Sequence, residues 1–306
     1  MKPNGLPTAK TFSHQEYKKS VGLKGTAWFD AKGLERSGYC LESRDKWAGN
    51  IILPQVAELV KEQRKERHFA LHNFVHHCLS SQAMLFNLVG PLIVREDLGP
   101  LQAAFIEAGV SWPAGTTKAI FEFEDRNIFN EVKSQPTSID LVLEGEATPK
   151  LYIEAKFVEQ EFGGCSVFER GDCSGSNPAR TLSSCYLHNK KGRTYWEKLE
   201  QLGFLLPVMT EGPICPLANY YQFFREVAFA RVNGGEFVLL FDERSPVFYR
   251  SVDGADTGLM SFLLTFVPEK HKSHVHAVSI QKVAASIRDS GHHDDWISDF
   301  EEKYGL

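Results

Sequence analysis

Three short apolar runs follow one another between residues 118 and 158, and no other feature of the chain limits its fold so closely. KAIFEFE (118–124), SIDLVLE (138–144) and KLYIEAKFV (150–158) have strand length and are separated by turn-forming residues, which predicts three consecutive β-strands. Before them, Val56, Leu59, Val60, Phe69, Leu71, Phe74, Val75, Leu79, Leu85 and Phe86 recur at roughly helical spacing. They predict two helices or one broken helix between Pro54 and Val89, closed by Pro91, and a short helix follows over Leu101–Ala108. Beyond the strands come a helix over Leu217–Val232, a strand over Glu236–Phe241, further strands around 247–250 and 262–267, and a terminal helix. The order of helix, three strands, helix and strand predicts an α/β fold.

Charged residues interrupt two of these runs. Asp140 breaks Ile139–Leu143, and Glu154 and Lys156 break Leu151–Val158. Isolated charges in strands this apolar are costly unless they are paired or bind metal. Side chains alternate along a strand, so Glu154 and Lys156 share one face and Ile153, Ala155 and Phe157 the other. Asp140 lies 14 positions before Glu154, which suits neighbouring strands joined by a turn through Gly145–Pro149. Two carboxylates on adjacent strands can take a hard divalent cation through oxygen. Such a cation polarises a phosphoryl oxygen and acidifies water, and a nearby lysine stabilises developing phosphate charge. The alternative is structural: a buried acid and lysine that neutralise each other. Glu122 and Glu124 lie together on the first strand and offer a further carboxylate or an exposed edge.

The Asp140 spacing, the Glu154-Ala155-Lys156 tripeptide and the order of elements resemble the PD-(D/E)XK nuclease superfamily. The flanks are similar to a bacterial restriction-endonuclease-like group, through LSSQAMLFNLVGPL (79–92), the cysteine-containing stretch, RTYWE (193–197) and CPLANYYQFFRE (215–226). This resemblance covers about residues 70–242, and it departs from the superfamily's name motif in having Ile139 where a proline stands. It implies a restriction-endonuclease-like core carrying an N-terminal helical extension over 1–69 and a cysteine-containing insertion at about 159–216, within a nuclease-like domain over 70–306. It also implies a metal-dependent DNA endonuclease, with a place in restriction or phage defence. Asp140 and Glu154 would hold Mg²⁺ or Mn²⁺, with Lys156 and Glu122 beside them. Gln222 resembles the glutamine that many members place on the helix after the third strand, and Gln82 resembles a polar residue of the preceding helix. The other reading is a catalytically silent module that keeps this fold and binds nucleic acid or a protein partner. Other such tripeptides occur, of which Glu131-Val132-Lys133 and Glu301-Glu302-Lys303 lie in polar surroundings that predict exposure.

Composition narrows the remaining classes. With 42% hydrophobic and 24% charged residues the 306-residue chain reads as globular, and its net charge of −5 argues against coating nucleic acid by bulk positive charge. Basic clusters at Lys61, Arg64, Lys65 and Arg67 and at Lys190, Lys191 and Arg193 are candidate phosphate contacts or solvated surface. The N-terminus lacks a long apolar core, and the longest apolar stretch, Ala83–Val94, is too short to span a bilayer, which predicts a cytoplasmic protein away from membranes. The oligomeric state stays open, a homodimer included. Cys165, Cys173, Cys185 and Cys215 fall within 51 residues, so zinc, an iron–sulfur cluster or unligated thiols are the alternatives. Cys40 and Cys78 read as packing residues. His72 and His76 stand four apart, without the glutamate a metalloprotease needs, and read as helix surface. His271, His274 and His276, like His292 and His293, are expected to be exposed.

Overall fold

The computed structural model describes residues 13–306 apart from 116, 133–134, 148, 249 and 253–254. The apolar runs form the expected strands: β1 (Lys118–Glu124), β2 (Ser138–Glu144), β3 (Leu151–Lys156) and, after the insertion, β4 (Glu236–Phe241). A fifth strand, β5 (Val275–Ser279), completes a sheet of order β1-β2-β3-β4-β5. The first three strands are antiparallel neighbours, whereas β3–β4 and β4–β5 are parallel. Every residue of β3 and β4 is buried, as expected of strands covered on both faces.

Helices supply the two covering layers. The longer ones are α1 (His14–Ala31), α2 (Pro54–Arg67), α3 (Ser81–Val94), α4 (Gly99–Glu107), α5 (Tyr195–Leu202), α6 (Pro216–Val232), α7 (Ile280–Asp289) and α8 (Asp294–Tyr304). Phe86, Phe121, Ile153, Val283 and Phe300 belong to one apolar core, which gathers α1 to α4, α7 and α8 on one face of the sheet. Tyr152, Leu199, Phe223, Val227 and Leu239 belong to the other core, under α5 and α6. The result is a mixed α/β architecture in three layers. The first helix is tied into it, since Tyr17 donates to the carbonyl of Phe157 at 2.8 Å, one residue past β3. No helix among the described residues is long and apolar enough to cross a membrane.

Several expectations need correction. The segment 68–80 is irregular rather than helical, so His72 and His76 lie on a loop, and α3 runs through Pro91 to Val94. Residues 262–267 are the end of a short helix (Leu259–Leu264) and a turn, because Met260, Leu263 and Phe266 bury at helical spacing. The strand expected around 247–250 includes residue 249, outside the described residues; Arg250–Val252 pairs with Ala255–Thr257 in a separate ribbon. β5 escaped notice because histidines interrupt it. His276 is half-buried and pairs with Glu236 at 3.0 Å, His271 is buried, and His293 is buried against Asp97 at 3.1 Å. Neither polar tripeptide is wholly exposed. Glu131 is fully buried and accepts from Thr137 and Tyr195, and Lys133 lies outside the described residues. Lys303 is fully buried, with its ammonium 4.2 Å from the Trp28 ring.

One close approach fixes how α2 and α3 meet. A Cβ added at Gly90 would stand 2.3 Å from Val56 Cγ1 and 3.0 Å from Cγ2, so the glycine lets the two helices touch. Gly90→Ala is therefore expected to destabilise the chain by about 1–3 kcal/mol in urea unfolding, despite alanine's better helix propensity. An unchanged midpoint would show that the pair separates freely.

Candidate active site

Alternation along β3 sends Ile153, Ala155 and Phe157 into the core beneath α3 and turns Glu154 and Lys156 towards α6. Both are nearly sealed from solvent, at 2% and 6% exposure. The Lys156 ammonium lies 2.6 Å from Glu154 Oε1 and donates to Gln222 Oε1 of α6 at 2.9 Å. Gln222 Nε2 donates in turn to the same Glu154 oxygen at 2.7 Å, closing a three-membered set. Glu154 Oε2 is buried and has no partner. Asp140 reaches across from β2, where its Oδ2 accepts from the backbone N–H of Ala155 at 2.9 Å.

The first strand contributes through a local irregularity. Glu122 has φ +52°, an unusual conformation for a non-glycine residue within a strand. Pairing with β2 holds at Phe121–Leu141 and Phe123–Ile139 and lapses between them, at Glu122 and Asp140. The alternation reverses there: Phe121 and Leu141 join the core under α3, whereas Phe123 and Ile139 pack on the α6 side, with Phe123 against Phe229. Glu122 is thereby turned towards α3, where Gln82 donates to it at 2.6 Å, and Ser138 Oγ donates to its other oxygen at 2.9 Å. Gln82 is itself buried and accepts from the His72 N–H, so it is no surface glutamine. Glu124 stays exposed at the edge, paired with Arg126.

A further acid lies behind this group. Glu226 follows Gln222 by one helical turn, is fully buried, and neither of its oxygens has a partner. Its signal in the sequence is the one that marks Asp140, a lone acid inside the apolar run YYQFFREVAFARV. Burial, together with the Glu154 charge, holds its carboxyl well above the usual range. Burial and the charges of Glu154 and Glu122 do the same to Asp140, and burial pushes Glu122 up to about 7. Burial opposes the charge on Lys156, but Glu154, Glu159, Glu226 and Asp140 outweigh it and hold the ammonium above the usual lysine value.

Asp140, Glu122, Ser138 and Gln222 line a cleft of about 810 Å³, together with His68 and His72 from the irregular loop and Arg126 and Arg225. Arg225 stacks on Tyr221, with 4.9 Å between guanidinium and ring. An adjoining groove shares Gln222 and Arg225 with this cleft and adds Arg170, Lys191 and Arg193. Lys191 ends a short helix, Tyr186–Lys191, and Arg193 is buried beneath it, bonded to the carbonyl of Asn130. The other basic cluster, from Lys61 to Arg67, lies on α2, where Arg67 bonds the carbonyl of Phe121. The four insertion cysteines line one cavity of their own. Among the described residues, no three His, Cys, Asp or Glu side chains stand together as a ready-made set of metal ligands.

Glu154 and Lys156 themselves do not line the cleft and lie buried behind its wall, where Gln222 bonds both. The mixed α/β chain falls, by comparison with known families, in a restriction-endonuclease-like class of nucleases. It belongs to the family REase-ARP, described as Restriction Endonuclease associating with ARP, whose model matches residues 12–305. No curated protein and no solved structure matches it.

The raised carboxyls give the site a pH signature. Glu122 takes up its proton at about 7 in the folded chain and near its usual 4.5 when unfolded, so between those values the folded state holds more protons. Stability from this group is full below about 4.5 and is lost as pH rises through about 7. Urea midpoints measured without divalent cations should fall across that window, and Glu122→Gln should flatten the fall. An equal slope in the variant would assign the titration to another group.

Proposed function

We propose that the chain is a metal-dependent DNA nuclease of the PD-(D/E)XK type, built on a restriction-endonuclease-like core, with Asp140 and Glu154 as its metal-holding acids. The observation that carries this reading is Glu154 Oε2, a buried carboxylate oxygen with no partner, on the strand beside Asp140. An orphaned buried acceptor is costly, and a divalent cation such as Mg²⁺ or Mn²⁺ satisfies it with the oxygen ligation it prefers. The crowding of Asp140, Glu154, Glu159 and Glu226 around Lys156 supports the same reading, because a dication offsets their repulsion.

Bound there, the cation would supply Lewis acidity towards a phosphodiester and a more acidic water. The protein's own groups do the rest. Lys156 is a fixed positive charge beside the acids, positioned to stabilise charge that develops on phosphate. Gln222 holds Lys156 and Glu154 in register with each other. Glu122, steadied by Gln82 and Ser138, is a third carboxylate on the cleft wall. The groove with Arg170, Lys191 and Arg193 gives the substrate backbone a basic path away from the acids, so a chain of net charge −5 still binds DNA on one face. Restriction or phage defence suits such an enzyme, and the family's association with ARP makes a partner of that kind part of the reading.

One observation favours the silent-module reading. Lys156 and Glu154 already form a closed, buried ion pair, which a structural role would also require. Two variants separate the readings. Asp140→Asn should weaken Mn²⁺ binding in calorimetric titration, and unchanged affinity would move the metal elsewhere. Lys156→Met leaves Glu154 unpaired, so the metal-free variant should lose about 3–5 kcal/mol and recover stability with Mn²⁺. Its cleavage of plasmid or linear DNA should fall by on the order of a hundredfold or more while DNA binding persists. Parent-like cleavage by this variant would make the lysine structural and sink its assigned role, whereas no cleavage by the parent with Mg²⁺ or Mn²⁺ would favour the binding module.

A further inference from the structure

The irregular loop over 68–80 carries one large apolar side chain that neither core takes in. Phe69, Leu71, Val75 and Leu79 are buried, whereas Phe74 is 63% exposed, and no other phenylalanine among the described residues is as open to solvent. Single exposed apolar residues are common on protein surfaces and need no explanation by themselves. Phe74 differs in where it is held. It lines the cleft, as do His72 and Asn73 of the same loop and Glu122 and Asp140 from the sheet. The backbone on either side of it is tied down. The His72 N–H donates to Gln82 at 2.9 Å, and Arg44 bonds the carbonyl of Leu71. Asn50 Nδ2 donates to the carbonyls of Val75 and His77 at 2.8 and 2.9 Å, and the His77 N–H donates to the Phe74 carbonyl at 2.9 Å. These bonds fix the ring at the cleft rather than leave it free to turn inward.

We propose that the cleft takes a single DNA strand and that Phe74 stacks on an unpaired base in it. The inference rests on the reading of this cleft as a nucleic-acid site, and it names the strand state that the site accepts. A phenyl ring has neither donor nor acceptor, so it holds no phosphate and reads no base edge by hydrogen bonding. What it offers is a face. A paired base keeps its own faces against its neighbours in the stack, whereas an unpaired base presents one to the ring. The charges point the same way. The adjoining groove carries Arg170 and Lys191, and Arg225 lines both spaces, so these cations form one track that meets the cleft at Arg225. A duplex brings two backbones, and the other basic cluster, on α2, is largely engaged within the chain. Lys61 pairs with Glu58 at 2.6 Å, and Arg64 and Arg67 bond the carbonyls of Phe69 and Phe121. One cationic track for a backbone, leading to one exposed ring for a base, is the combination by which proteins hold single strands.

The test is a titration of the full-length protein with a fluorescent single-stranded oligonucleotide and with the same sequence as a duplex, in EDTA so that neither is cut. The single strand is expected to bind about tenfold or more tightly than the duplex. Phe74→Leu keeps the apolar bulk and removes the ring face, so its affinity for the single strand should fall about tenfold with an unchanged urea midpoint. Phe74→Tyr should bind as the parent does. If Phe74→Leu fails to fold, the parent's choice between the two DNAs still decides. Equal or tighter binding of the duplex, parent-like affinity of Phe74→Leu, or no binding of either DNA would overturn the proposal and leave the ring as a contact for a protein partner. Single-strand binding that depends on Phe74, in a parent that cuts nothing with Mg²⁺ or Mn²⁺, would uphold this inference while removing the nuclease reading. Duplex cleavage that is indifferent to Phe74→Leu would do the reverse.

Discussion

Placing charge inside a sheet that is apolar on both faces is the constraint from which the rest of the site follows. β3 is buried from end to end, and Glu154 and Lys156 occupy two of its positions. Their pairing makes that burial tolerable, and Gln222 completes it from α6, fixing the helix against the strand. The pairing is incomplete, since one Glu154 oxygen stays unsatisfied and Asp140, Glu122 and Glu226 add acid without adding base. A structural ion pair needs only two groups. The surplus carboxylates are the charge that the proposed cation would offset.

Much of this was legible in the sequence because burial and alternation act locally. Lone charges in the runs around Asp140, Glu154 and Lys156 stand out against apolar neighbours, and a period of two puts Glu154 and Lys156 on one face. Gln222 was reachable only through the resemblance, since nothing in YYQ distinguishes it from any helix-surface glutamine. What stayed hidden depends on contacts distant in the chain. The left-handed Glu122 leaves no trace in KAIFEFE, because the face reversal needs β2 beside it. Glu131 and Lys303 looked solvated by their neighbours in sequence, yet Tyr195 and Trp28 bury them. The loop over 68–80 reads as helix because Phe69, Leu71, Val75 and Leu79 bury in one core without a regular backbone, while Phe74 stays exposed.

Acid and base are unevenly divided between the cleft and its neighbour. The cleft holds Glu122, Glu124 and Asp140 beside Arg126 and Arg225, and the adjoining groove gathers Arg170, Lys191, Arg193 and Arg225. Bulk net charge averages the two and hides both, which is why composition alone argued weakly about nucleic acid. Arg225 stands where the two regions meet and carries its charge across the boundary, its guanidinium held flat on Tyr221.

Lys303 gives the fold a proton inventory of its own. Burial holds the Lys303 ammonium well below the usual lysine range, so this group favours the folded state more as pH rises. Glu122 and Asp140 do the reverse and take protons up. The two effects have opposite signs and sit at separate places, one in the aromatic nest of Trp28, Phe29 and Tyr304, the other at the cleft. Lower pH thus disfavours the buried Lys303 while it eases the repulsion among the acids. The folded state is caught between these demands, and its optimum pH records the balance between its core and its cleft.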